Sequence, residues 1–162
     1  MSNTFPKITL VGKPNVGKST LFNTIVGKRE AIVGKEAGLT RDFQEIKCAI
    51  GSKQFILTDT AGIRSEKNNL AMLAYKNTSL IINKSDLIFF LIDGSEELTI
   101  EDHNCADFLR KFNKKIVLLV NKIELKQSIN FQSLAYELGF GKPVGITGKS
   151  KSSLAIINSI IT

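Results

Sequence analysis

Residues 12–19 read Gly-Lys-Pro-Asn-Val-Gly-Lys-Ser, and the apolar run Ile8–Val11 leads directly into them. The octapeptide satisfies every fixed position of the phosphate-binding loop pattern. That pattern carries physical meaning only where a strand enters the loop and a helix leaves it. Consecutive backbone N–H groups then wrap an anionic group, and the positive end of the helix dipole adds to the attraction. Both flanks fit: Ile8–Val11 is strand-like, while Leu21, Phe22, Ile25 and Val26 share one helical face that Gly27 terminates. A strand–loop–helix unit of this kind belongs in a parallel sheet with helices packed on it.

The remaining chain agrees. Further strands are predicted at Phe43–Ile50, Gln54–Thr58, Leu87–Ile92, Ile116–Val120 and Val144–Ile146. Most are near-continuous apolar runs, as strands covered on both faces must be. Phe43–Ile50 instead alternates, with Ile46, Cys48 and Ile50 set against Glu45 and Lys47. Only Gly51-Ser52-Lys53 separates it from the next strand, so the two should pair as an antiparallel hairpin at a sheet edge. Helices are expected from about Leu70 to Lys84, around Cys105–Phe112 behind a Thr99-x-x-Asp102 start signal, over Phe131–Leu138 ending at Gly139, and over Leu154–Ile161. There is no internal repeat, low-complexity tract or interdomain linker, and 162 residues suffice for one cored α/β domain.

Composition narrows the partners. Twenty-two Lys and Arg against fifteen Asp and Glu give a formal charge of +7, which favours polyanions such as nucleotides, RNA or acidic membranes. Cys48 and Cys105 are too few for a disulfide scaffold, and His103 with Cys105 supplies only two ligands toward a zinc site. Met1–Lys7 lacks the layout of a signal peptide, and the longest apolar run, Leu87–Ile92, is too short to span a bilayer. A soluble, reduced, cytoplasmic protein without membrane association is the expectation. Two basic groups, Arg110, Lys111, Lys114 and Lys115, and Lys142, Lys149 and Lys151, are candidate RNA contacts, though charged clusters are more often plain solvated faces.

Candidate site residues fall at predicted strand ends. Lys18 would reach the β- and γ-phosphates and Ser19 would hold magnesium, with Gly12, Asn15, Val16, Gly17 and Thr20 completing the phosphate loop. Asp59, in Asp59-Thr60-Ala61-Gly62, is placed to hold magnesium through water, and Gly62 admits a backbone N–H toward the γ-phosphate. Thr40, in a polar stretch running from Gly27 to Asp42, is the candidate for a second magnesium hydroxyl. Asn121-Lys122-Ile123-Glu124 follows a strand, where a base-reading loop would lie. Asn121 addresses the base edge, the Lys122 stem lies along the ring, and the Glu124 carboxylate accepts two N–H bonds that guanine alone presents. Asn83-Lys84-Ser85-Asp86 resembles such a loop letter by letter but precedes a strand, at the wrong sheet edge. Thr147-Gly148-Lys149 completes the set, with the Gly148 N–H aimed at the base carbonyl. Ile63 stands where many signalling GTPases place a water-orienting Gln, so intrinsic hydrolysis should be slow.

Taken together, Gly12–Asn23 (GKPNVGKSTLFN), Gly27–Val33 (GKREAIV), Gly38–Asp42 (GLTRD) and Asp59–Ile63 (DTAGI) resemble the first GTPase domain of the EngA/Der family of bacterial ribosome-assembly GTPases. The resemblance implies a Ras-like P-loop GTPase domain: a mostly parallel six-stranded sheet with one antiparallel edge strand and helices on both faces. It also implies GTP/GDP binding, Mg2+-dependent hydrolysis and association with the large ribosomal subunit and its RNA. Family members carry a second GTPase domain and a KH-like domain, so residues 1–162 are expected to be one G domain of a longer protein, acting as a monomer. Relatives that use K+ hold it partly through the residue matching Asn15, which makes K+ a further expected cofactor. Ala37, Glu124 and Thr147-Gly148 depart from the family's usual Pro, Asp and Ser-Ala. Two other readings stay open: a guanine-nucleotide-binding module that docks on RNA with negligible hydrolysis, and the G domain of a related tRNA-modification or iron-transport GTPase.

Overall fold

The structure is a computed structural model that describes residues 5–27, 44–60, 78–122 and 135–161. Within them the chain runs β1 (Lys7–Val11), α1 (Lys18–Val26), β2 (Gln44–Ile50), β3 (Lys53–Asp59), β4 (Leu87–Asp93), α2 (Ile100–Arg110), β5 (Lys115–Asn121), β6 (Val144–Gly145) and α3 (Ser153–Ile160). Residues 78–84 are also helical, and Ala135–Leu138 forms a 3₁₀ turn.

The strands form one six-stranded sheet in the order β2-β3-β1-β4-β5-β6. β2 pairs antiparallel with β3, and every other pairing is parallel. The expected edge hairpin is therefore present, closed by Gly51 at φ 60°, with Lys53 already inside β3 opposite Ile50. β6 is shorter than the predicted Val144–Ile146. Ile146 leaves the strand after its N–H reaches Val120 O at 2.8 Å.

β4 shows why apolar runs become central strands. All seven of its residues are buried, and its alternate side chains feed two separate cores. Leu87, Phe89 and Leu91 pack with Leu21, Phe22 and Ile25 of α1 and Ile157 of α3. Ile88, Phe90 and Ile92 pack on the other face with Ile82, Ala106, Leu109 and Leu138. Helices thus cover both faces. Fully burying one such Phe is worth roughly 2–3 kcal/mol, so β4 anchors both layers.

Helix ends follow their sequence signals. Gly27 closes α1 with its N–H on Asn23 O, and Thr99 opens α2 through a complete capping box with Asp102. Of the helix expected over Phe131–Leu138, the described part is the 3₁₀ turn, followed by Gly139 at φ 82°. Residues 131–134, and most of the helix expected before Lys84, lie outside the described residues.

Because β1, β3, β4, β5 and β6 are mutually parallel, the loops that follow them emerge at one sheet edge. The tetrapeptide Asn83–Asp86 lies at the opposite edge, ahead of β4. There Ser85 is buried, its hydroxyl bonded to Thr9 Oγ1 and donated to Ile81 O, and Asp86 accepts the Lys7 N–H. These contacts are structural, in keeping with its position before a strand.

Candidate functional site

The loop between β1 and α1 is shaped by backbone conformations few residues tolerate. Asn15 takes φ 70° and Gly17 φ 100°, both left-handed. Gly12 is required for a second reason, since a Cβ there would meet Leu91 O of β4 at 2.7 Å. α1 opens from this loop at Gly17 with no side-chain cap and no acidic residue in its first turn. Among the described residues no side chain caps its first amide groups, a disposition that favours an anion. Lys18 is buried, and its ammonium donates to Gly12 O within the same loop. Burial pushes this ammonium below its ordinary pKa, against the pull of the Asp59 carboxylate. An arriving polyphosphate would relieve that burial cost.

Asp59 ends β3 in register with Leu10 of β1, so its carboxylate lies where the phosphate loop begins. The next residue, Thr60, is fixed by a hydroxyl bond to Leu10 O at 2.8 Å. Ser19 and Thr20 lie in the first turn of α1 and are exposed. Ser19 at the start of α1 and Asp59 at the end of β3 thus lie at the same sheet edge, and both carry oxygen donors, the ligand type that Mg2+ takes.

A second loop is locked onto the first. The Asn121 amide is 4% exposed, and both of its ends are engaged. Nδ2 donates to Val16 O at 2.9 Å, and Oδ1 accepts the Gly148 N–H at 2.7 Å. Packing around the amide leaves no spare room: a Cβ on Gly17 would fall 2.2 Å from Nδ2, and one on Gly148 would fall 2.9 Å from Oδ1. Thr24 of α1 donates to Gly148 O at 2.7 Å, and Ser153 exchanges hydrogen bonds with the backbone of Thr147. Asn121, expected as a base reader, thus also clamps three loops together. These contacts use one Nδ2 hydrogen and one Oδ1 lone pair of the amide.

The loop after β4 makes two further ties. Lys122, left-handed at φ 64°, places its ammonium 2.7 Å from Asp93 Oδ2 and donates to Asn15 O at 3.4 Å. Burial alone would raise the Asp93 pKa, but hydrogen bonds from Lys122 and Ser95 outweigh it and hold the carboxyl below its ordinary value. Lys13, buried inside the phosphate loop, donates to Glu96 and Thr99 at 3.0 Å and lies 3.1 Å from Asp102. Burial would lower its pKa. The bonds to Glu96 and Asp102 prevail, and the net shift is upward.

Of the predicted site residues, the structure brings Gly12, Asn15, Val16, Gly17, Lys18, Ser19, Thr20, Asp59, Asn121, Lys122, Thr147, Gly148 and Lys149 to this one edge. Thr40, Gly62, Ile63 and Glu124 lie outside the described residues. Sequence reasoning missed Asp93, Thr24 and the anchoring of Lys13. Asp93 had one usable signal: it is an acidic residue ending a fully apolar strand, at the edge where every other candidate loop emerges.

The comparisons agree with this geometry. The family model described as 50S ribosome-binding GTPase matches residues 7–122. The GTPase Der of Clostridium acetobutylicum is 43% identical over 143 residues, which are 88% of this chain and 33% of the relative. That of Thermosipho melanesiensis is 39% identical over 150 residues, 91% of this chain and 34% of the relative. The chain therefore spans about a third of the length of these curated relatives. Among solved structures, Aquifex aeolicus Era bound to GDP and AlF4⁻ superposes with a TM-score of 0.77 at 27% identity, over 98% of this chain and 56% of that one. Era in complex with MgGDPNP and a segment of 16S ribosomal RNA gives 0.76 at 28% identity, with the same coverage. The fold is that of Ras-like P-loop GTPases, the chain is similar to part of GTPase Der, and it belongs to the 50S ribosome-binding GTPase family.

Proposed function

We propose that this chain is a guanine-nucleotide switch that binds and hydrolyses GTP during assembly of the large ribosomal subunit, as one domain of a longer protein. The observation that carries the nucleotide reading is the Asn121 clamp. It joins an anion-binding loop to a base-side loop through buried hydrogen bonds of 2.9 and 2.7 Å, so phosphate and base would be held by one rigid unit.

In this reading the backbone of Gly12–Lys18 and the Lys18 ammonium bind the phosphates, while Ser19 and Asp59 hold Mg2+, with Thr40 as the further hydroxyl. Bound Mg2+ supplies positive charge against the phosphate oxygens. Lys122 lies along the base, Glu124 takes its two N–H donors, and Gly62 contributes a backbone N–H at the γ-phosphate. Ile63 can neither donate nor accept, so the chain lacks a side chain there to orient water, and hydrolysis is slow. Asn15 is exposed and has a side-chain oxygen available to a monovalent cation, which supports K+ as a stimulating ion.

Titration with GDP, GTP and ATP tests the reading. Tight guanine binding without ATP binding supports it, and the reverse overturns the assignment of Asn121–Glu124. Initial hydrolysis rates in K+ and Na+ buffers of equal ionic strength test the ion, and equal rates would remove it. The Ile63 substitution also favours a second reading, a nucleotide-binding module with negligible turnover. Single-turnover hydrolysis with and without 50S subunits separates the two.

RNA association rests on the family and on charge. Arg110 is committed elsewhere: it bonds Asp107 and Leu138 O, and its guanidinium lies 5.5 Å from the Phe140 ring. Lys114 donates to Asn83 O. Exposed Lys84, Lys111, Lys115 and Lys142 lie toward the amino ends of β4, β5 and β6, away from the nucleotide loops, whereas Lys149 and Lys151 follow β6 at the nucleotide edge. Affinity for ribosomal subunits should fall steeply with added salt if these lysines touch phosphate backbone.

A further inference from the structure

We propose that Asp93 is a positioning residue for the nucleotide base, acting through Lys122; this rests on the nucleotide reading given above. Asp93 ends β4 directly opposite Asn121 of β5. Its side chain is 9% exposed, with Oδ2 2.7 Å from the Lys122 ammonium, whose own side chain is 34% exposed. The other oxygen, Oδ1, accepts the Ser95 N–H at 2.8 Å together with the Ser95 hydroxyl. Gly94 adds a backbone bond to Asn121 O at 2.8 Å. The carboxylate is therefore immobilised before it meets its partner.

Lys122 is held at both ends. Its backbone occupies the left-handed region at φ 64°, which disfavours any residue with a Cβ. Its ammonium is drawn to Asp93 and to Asn15 O. Between these fixed points runs a four-carbon stem that keeps part of its surface open. A lysine left to itself would sample many rotamers, and ordering it on ligand binding costs side-chain entropy. Asp93 removes that cost in advance. The benefit is a flat apolar contact for a ring face, which every purine offers alike. Asp93 accordingly raises affinity without choosing between purines; that choice belongs to groups that meet the base edge.

The test compares wild type with Asp93→Asn, Lys122→Met and the double variant, using a fluorescent GDP analogue and displacement by IDP. Methionine keeps an apolar stem, so binding stays measurable while the charge that answers Asp93 is gone. Each single variant is expected to bind GDP and IDP about tenfold more weakly, and the double variant no more weakly than either single one. At saturating GTP, single-turnover hydrolysis of Asp93→Asn should stay within about twofold of wild type, since Lys122 meets the base and not the phosphates. A general loosening of the site would lower that rate as well. The proposal is overturned if Asp93→Asn binds GDP as wild type does, if the losses multiply in the double variant, or if the saturated rate falls along with affinity. Failure of the wild-type chain to bind GDP would instead overturn the nucleotide reading, and the proposal with it.

Discussion

Replacing Asn121 by alanine removes two hydrogen bonds whose partners are both buried. Val16 O loses a donor at 2.9 Å and Gly148 N–H loses an acceptor at 2.7 Å. A buried polar group left without a partner costs about 1–3 kcal/mol. Taking about 1.5 kcal/mol for each, because loop backbone can turn partly toward water, gives about 3 kcal/mol for the pair. In a domain of this size about 1 kcal/mol shifts the unfolding midpoint by roughly 2–4 °C, so a drop of roughly 6–12 °C is expected. The assay is thermal unfolding of nucleotide-free protein followed by circular dichroism. Nucleotide must be absent because any ligand of the native state masks the loss by mass action. Asn121→Asp is the companion variant. It keeps an acceptor for Gly148 but sets a carboxylate oxygen against Val16 O, so it should be at least as unstable as the alanine variant. A midpoint shift under about 2 °C for Asn121→Ala, alongside a large loss of GDP affinity, would refute the clamp and leave Asn121 as a base reader alone.

Three further outcomes follow from the same geometry. Gly17→Ala combines φ 100° with a Cβ 2.2 Å from Asn121 Nδ2, so urea unfolding should show a loss of at least about 2 kcal/mol. Thr99→Ala deletes the acceptor for the Asp102 N–H and one partner of Lys13, and should cost about 1–2 kcal/mol in the same assay. The pH dependence of stability has two limbs. Lys13 is raised above 10.5, so its contribution is complete below that pH and disappears as pH climbs through the higher folded value; Lys13→Met should flatten the alkaline limb. Asp93 is lowered below 3.8, so its contribution is present above that pH and disappears as pH falls through the lower folded value; Asp93→Asn should flatten the acid limb.

The central strands were readable because burial on both faces leaves little choice of residue. β4 and β5 match their apolar runs to within a residue at either end, and the alternating run Phe43–Ile50 marked the edge hairpin. The decoy at Asn83–Asp86 was readable for a topological reason, since loops at the wrong strand end cannot join the site. What sequence left hidden was long-range pairing. Lys13 occupies a position the phosphate-loop pattern leaves free, and its partners Glu96 and Thr99 lie more than eighty residues away. Nothing in local spacing links them. Asn121 was found for its chemistry toward a base, while its clamping role depends on Val16 and Gly148, which offer only backbone atoms to the contact. The 3₁₀ geometry of Ala135–Leu138 was also harder to read, because a short amphipathic stretch fits a 3₁₀ turn as well as an α-helix.

The contrast between the two helix starts reaches further than capping. α2 closes its own first turn with Thr99 and Asp102, whereas α1 begins at a glycine and supplies no such group. Among the described residues no side chain completes the amino end of α1, so an anion seated in the loop would do so. Its backbone amides at Ser19 and Thr20 should exchange with solvent quickly in the empty protein and slowly once phosphate is seated. Protection of these amides would then report directly on whether the loop is occupied, apart from any change in the rest of the helix, whose next amide, Leu21 N–H, is already bonded to Gly17 O at 2.9 Å.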